Sequence, residues 1–377
     1  MRLQFVLAVA AAATLATGAS GKELKIASGW PTTQGAHGAY DAFEPYVEEN
    51  SDLEITLYHS GSLLAFSEIP GGIRDGIAEM GSILPPFYPS EFPESNLPAN
   101  LSMLTNVGNR VNAPGAAMAG ATMEYIFGSA DALEGYKRQN QVYLGSLSSA
   151  PYDMLCREPV RAPEDLRGKK FRVGQANFGR YVEHFGGVQV ALAANEMYEA
   201  MAQGVVDCAV LAVNDLTGYQ MAAVVKNGTL GVPGGVFSGA EPLNINREVW
   251  RDLTVEQRTV VLEGAVRGMA EATARLFANA RDTAVEAPSL GVTVHEPTPE
   301  LVAASDAFIE GDVAVLKQQF SSQFGVQDID TKVAEITRLI ERWKGLIADW
   351  DGTAESLADL YRTEAYANVD PATYGLD

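Results

Sequence analysis

Leu24-Lys25-Ile26-Ala27, a helix-patterned stretch from Gly38 to Glu49, and Leu53-Glu54-Ile55-Thr56-Leu57-Tyr58 follow one another at the start of the chain, and this order decides the fold class. In the last of the three, Leu53, Ile55 and Leu57 alternate with Glu54, Thr56 and Tyr58, the two-residue period of a strand with one apolar face. Strand-like and helix-like segments keep alternating: Met80-Gly81-Ser82-Ile83-Leu84, Met154-Leu155-Cys156, Phe171-Arg172-Val173 and Val205 to Leu211 are apolar runs separated by helical patterns. Such alternation predicts an α/β fold with largely parallel sheets.

Residues 163–173, Pro-Glu-Asp-Leu-Arg-Gly-Lys-Lys-Phe-Arg-Val, concentrate positive charge in a chain whose formal net charge is −21. That acidity excludes nucleic acid as a partner and disfavours anionic lipid. It also repels anions at long range, so any anion bound here needs a local, desolvated cation. On a strand, Lys170 and Arg172 share one face and Phe171 and Val173 the other. An arginine fork matches a carboxylate and stays charged when desolvated.

Other segments frame the organisation. Arg2 followed by the apolar run Leu3–Leu15 and small residues to Gly21 predicts an export signal over residues 1–21, too short to span a bilayer. Pro85, Pro86, Pro89, Pro93 and Pro98 argue against regular helix or central strand between 85 and 98, and Phe87, Tyr88 and Phe92 make this loop a candidate lid or pocket wall. The longest helical pattern runs from 254 to 286, opened by a capping box of Thr254 and Gln257 and ended before Pro288. A further apolar stripe, Val333, Ile336, Leu339, Ile340, Trp343, Leu346, Ile347 and Trp350, continues at Leu357, Leu360 and Tyr361. It marks either core packing or a homodimer contact.

Catalytic patterns are missing. His37, His59, His184 and His295 have no metal-ligand spacing, and no phosphate-binding glycine loop or G-x-S-x-G elbow occurs. An exported hydrolase with a dispersed triad and a sensory ligand-binding protein remain as alternatives to a binding protein without cofactor or metal. Cys156 and Cys208, both on expected strands, form either a disulfide or two buried thiols.

The run Ala162-Pro-Glu-Asp-Leu-Arg-Gly-Lys-Lys-Phe-Arg-Val173, with Asn195-Glu-Met-Tyr-Glu-Ala-Met-Ala-Gln-Gly-Val-Val-Asp207, resembles the solute-binding subunits of TRAP (tripartite ATP-independent periplasmic) transporters. The segment Asn246–Leu253 fits as well. The resemblance implies a periplasmic, two-lobed binding protein that closes on a small organic acid and delivers it to a membrane permease. Lobe I would comprise 22–146 and 233–300, lobe II 147–232, and a helical C-terminal region 301–377, with the long helix serving both lobes. It also implies that Arg172 clamps the ligand carboxylate. Tyr152 stands near the place where some members carry a second arginine. The run from Cys208 to Asn214 keeps neither the pattern of sialic-acid binders nor the Glu-Trp of metal-assisted keto-acid binders, which leaves Asn214 as a shifted polar contact or a helix cap. Because ligands in open α/β sheets meet the carboxyl ends of strands, Trp30, Ser82, Tyr88, Asn177 and Phe178 complete the candidate ligand-binding set.

Overall fold

A computed structural model describes residues 22–108, 110–192 and 194–377; the expected export signal lies outside them. The described residues contain a ten-stranded sheet system. Its strands are β1 (Lys22–Ala27), β2 (Leu53–Tyr58), β3 (Met80–Ile83), β4 (Gln141–Val142), β5 (Leu147–Cys156), β6 (Lys170–Val173), β7 (Val188–Ala191), β8 (Cys208–Ala212), β9 (Asn227–Asn246) and β10 (Thr293–His295). The order is β2-β1-β3-β9-β5-β8-β6-β7, with β4 and β10 also against β9.

Apart from the short β10, which runs parallel to the start of β9, parallel pairing lies on the flanks. β1 runs parallel to β2 and β3, and β6 runs parallel to β7 and β8. Between them β9 is antiparallel to β3 and β5, and β5 is antiparallel to β8. The expectation of largely parallel sheets is corrected at the centre, where the 20-residue β9 runs through both halves. Pro233-Gly234-Gly235 sits inside this strand. A Cβ on Gly235, at φ +74°, would lie 2.7 Å from the Met103 Cα, so only glycine permits this approach.

The helix Val255–Glu286 opens as its sequence requires. Thr254 Oγ1 accepts from the Gln257 backbone N–H at 3.1 Å, and Gln257 Oε1 accepts from the Thr254 N–H at 2.9 Å. Its 32 residues span about 48 Å. Val261, Ala265, Met269 and Leu276 pack into the main core, while Ala280 and Ala284 reach a second core built on Leu155, Met201, Leu211 and Val292. One helix therefore buttresses both halves. Cys156 and Cys208 face each other in the β5–β8 register and are joined by a disulfide.

Two expectations change. The proline-rich stretch contains a 3-10 turn at Pro85–Phe87 and a short helix at Pro93–Asn100 that includes Pro98. Pro93 is tolerated because it occupies the first turn, where its absent N–H has no intrahelical acceptor. The C-terminal stripe is consumed inside the chain. Val333, Ile336, Leu339, Ile340, Trp343 and Ile347 on the helix Ile329–Ile347 are buried, as are Leu357 and Tyr361 on the helix Ala354–Glu364. The Trp343 ring covers Gly120 of the helix Pro114–Gly128, and its Nε1 donates to Glu124 at 2.6 Å. With that face spent on the chain's own core, the stripe does not support the homodimer reading.

Candidate functional site

The two halves meet around a cavity of about 80 Å³. Trp30, Gln34, Phe66 and Phe87 reach it from the β1–β3 side, Tyr152, Arg172, Asn214, Asp215 and Tyr219 from the β5–β8 side. Phe237 on β9 and Leu276 on the long helix close it. Aromatic rings contribute from both halves, with Trp30 edge-on to Phe66 at 5.4 Å and Tyr152 6.4 Å from Phe237.

Arg172 is the buried cation of the site, 3 % exposed on β6. Strand alternation sends Phe171 and Val173 into the core and Arg172 to the opposite face, toward the cavity. Its Nε donates to the Leu192 carbonyl at 3.0 Å, which orients the guanidinium. Gly174 provides room, since a Cβ there would stand 3.1 Å from Nη1. Among the described residues no carboxylate lies within 4.0 Å of Arg172 to form an ion pair. A desolvated charge left without a contact partner is costly, so the arrangement suits an incoming anion.

Tyr152 stacks on Phe178 at 4.9 Å. Burial, reinforced by Asp215 and opposed by Arg172, pushes its hydroxyl well above the usual range, so it remains a protonated donor. Asp215 is buried too, and burial raises its carboxyl to about 6, against the lowering effects of Gln34 and Arg172. Gln34 Nε2 donates to Asp215 Oδ1 at 2.9 Å, and Asn214 Nδ2 to the same oxygen at 3.4 Å. The Asn214 side chain makes no capping bond to the helix Asp215–Gly218, and its Oδ1 is buried without a hydrogen-bond partner.

Of the residues nominated from sequence, Arg172, Tyr152, Asn214 and Trp30 come together in the lining. The other four lie outside the lining. Ser82 is wholly buried and accepts from the Gly29 N–H at 3.1 Å, fixing the turn that presents Trp30. Asn177 donates to Ser102 Oγ at 3.1 Å inside the core. Phe178 lies behind Tyr152. Tyr88 turns away to donate to the Ser67 carbonyl at 3.0 Å, while Phe87 beside it lines the cavity. Gln34, Phe66, Asp215, Tyr219 and Phe237 were not nominated. Adjacency to Asn214 was the only signal for Asp215.

Among the described residues no group of three or more His, Cys, Asp or Glu is placed to hold a metal ion, and no helix is long and apolar enough to cross a membrane.

The family described as bacterial extracellular solute-binding protein, family 7, matches residues 26–320. A solute-binding protein from Albidiferax ferrireducens is 30% identical over 105 residues, a match covering 28% of this chain and 31% of that protein. The match thus spans about a third of the curated relative's length. Similar solved structures include a marine metagenome TRAP solute-binding protein specific for aromatic acid ligands, in complex with metahydroxyphenylacetate (TM-score 0.73, 20% identity, 85% of this chain and 99% of that one). A TRAP solute-binding protein from Rhodoferax ferrireducens in complex with copurified benzoate gives a TM-score of 0.74 at 15% identity, covering 86% and 99%. The periplasmic ectoine-binding protein of Halomonas elongata gives 0.70 at 18%, covering 85% and 100%. At these identities the likeness establishes the two-lobed fold.

Proposed function

The chain belongs to the family 7 bacterial extracellular solute-binding proteins, a family of receptors and not of enzymes, and from that premise we propose that it captures a small carboxylic acid with an apolar or aromatic body and hands it to a membrane permease. The observation that carries this reading is Arg172: a buried guanidinium beside a cavity, with no carboxylate of the described residues within 4.0 Å to pair with it. The ligand carboxylate would take the fork of Arg172 and the Tyr152 hydroxyl. Its body would lie among Trp30, Phe66, Phe87 and Phe237.

Residues 22–146 with 233–300, and residues 147–232, then act as the two lobes that close on the ligand, bending where β5 and β9 cross between them. Residues 1–21 would direct export and be removed. The relatives with solved structures bind metahydroxyphenylacetate, benzoate and ectoine, all acids of this size, which supports the class.

A thermal-shift screen over organic acids, followed by titration calorimetry, tests the proposal. A ligand at 100 times its dissociation constant raises stability by about 2.7 kcal/mol. Losing one partner of a desolvated charge pair costs about 2–5 kcal/mol, so Arg172→Ala should weaken binding at least ~30-fold. Unchanged affinity in that variant removes the basis of the reading.

A further inference from the structure

Asp215 introduces a second charge into the same cavity, and its surroundings constrain what the ligand must look like. Its carboxylate is 95% buried, being 5 % exposed, yet it is not within 4.0 Å of Arg172. The cavity therefore holds a cation and an anion that do not neutralise each other by contact. Gln34 and Asn214 both donate to Oδ1, the Ala212 backbone N–H also bonds the carboxylate, and no side chain among the described residues donates to Oδ2.

Asn214 sharpens the point. Its amide can be placed in two orientations, but turning Oδ1 toward Asp215 would set two acceptors against each other. Nδ2 must face Asp215, and Oδ1 is then a buried acceptor without a donor. One side of the cavity thus offers donors, Arg172 and Tyr152, and another offers acceptors, Asp215 and Asn214.

We infer that the ligand is a bifunctional acid carrying, apart from its carboxylate, a hydroxyl, N–H or ammonium group that donates to Asp215, and that Asp215 selects this class against plain acids and dicarboxylates. This rests on the carboxylate reading of Arg172. A plain acid leaves the Asp215 carboxylate desolvated with no new donor, and a second ligand carboxylate meets a like charge. The carboxyl is raised to about 6 by burial, so it is mostly ionised at pH 7.5 and acts as an acceptor there.

Titration calorimetry at pH 7.5 with benzoate, 3-hydroxybenzoate and isophthalate, and with cyclopentanecarboxylate and pyroglutamate as a non-aromatic pair, tests the inference. In the unaltered protein the donor-bearing member of a pair should bind at least about tenfold more tightly than its parent, the scale of a hydrogen bond to a charged group, and isophthalate should bind more weakly than benzoate. Asp215→Asn exchanges an acceptor for a donor at constant shape. It should abolish the preference and improve isophthalate binding, a gain that a misfolded variant cannot show. Equal affinities within a pair, or a ratio unchanged by Asp215→Asn, overturn the inference while leaving the Arg172 reading intact. Failure of all five acids to bind overturns both.

Discussion

Gln34 and Asp215 are joined by a 2.9 Å hydrogen bond that links the segment after β1 to the segment after β8, across the cavity. Thr33 Oγ1 adds a second link by donating to the Gly218 carbonyl at 3.0 Å. These bonds tie the two halves in the arrangement described, and Gln34 also anchors itself by accepting from the Gly35 N–H at 2.7 Å. Replacing Gln34 by Leu removes the link and deprives a buried carboxylate of its donor. Net loss of such a bond is worth about 1.5–3 kcal/mol when one partner is charged. Gln34→Leu should therefore weaken ligand binding by about tenfold, chiefly through faster release, as stopped-flow fluorescence would record.

Arg172 can be probed more finely than by deletion. Lysine keeps the charge but lacks the planar fork and the Nε that donates to the Leu192 carbonyl. Arg172→Lys should bind with an affinity between those of the unaltered protein and Arg172→Ala. Since the pair with the ligand forms in a dry cavity, raising sodium chloride from 0.05 to 0.5 M should change the affinity by less than about threefold, whereas an exposed pair would be screened more strongly. Calorimetry at the two salt concentrations decides this.

Buried acids set a pH dependence of stability whose sign can be worked out. Burial raises Asp153 to about 7, against hydrogen bonds from the Gly231 and Val213 backbone, and raises Asp215 to about 6. The folded state holds these protons more tightly than the unfolded chain, so their stabilising contribution is complete below about pH 4 and is lost as pH rises through 6 and 7. His37, lowered by burial, acts in the opposite sense over its own range. Asp153→Asn keeps an acceptor for the Gly231 N–H, bonded at 2.8 Å, and cannot ionise. Its melting temperature should gain on the unaltered protein by at least about 3 °C between pH 5 and pH 8. A parallel pair of melting curves would contradict the assignment.

How far the chain could be read before its structure follows from what periodicity encodes. The capping box at Thr254 and Gln257, the strand Leu53–Tyr58 and the facing of Arg172 are local patterns, and each emerges where local rules put it. The strand-end rule locates a neighbourhood but not the direction of a side chain within it. Ser82 and Tyr88 therefore sit near the cavity without lining it, the 3-10 turn at Pro85–Phe87 having set Phe87 inward instead. Phe66 and Phe237 come from remote segments that only tertiary packing unites, and no short-range signal marks them. The antiparallel centre escaped for a related reason: Pro233-Gly234-Gly235 has the composition of a break, yet β9 pairs with β5 on both sides of it through a shifted register, and the missing side chain of Gly235 leaves room for Met103.

The disulfide between Cys156 and Cys208 closes a loop with a sequence separation of 52. Loop-closure entropy assigns such a link about 4 kcal/mol. The double variant Cys156→Ser with Cys208→Ser should lose several kcal/mol in urea unfolding. Its ligand affinity should change by less than about threefold, because neither sulfur lines the cavity. Loss of binding in a variant that still folds would place the link in the site itself.

Trp343 and Gly120 test whether the C-terminal helices belong to the core. A Cβ on Gly120 would stand 2.3 Å from the Trp343 ring, too close for the ring to keep its place. Gly120→Ala should displace the ring and strain its bond to Glu124, at a cost of about 1–3 kcal/mol. Trp343→Ala relieves the clash but empties a large buried volume, costing about 3–5 kcal/mol. Because the two changes touch the same contact, their costs should not add, and the double variant should be markedly more stable than the sum predicts. Strict additivity in denaturant unfolding would mean that the ring and the glycine do not meet, and the helix Ile329–Ile347 would then regain an apolar face available to a second molecule.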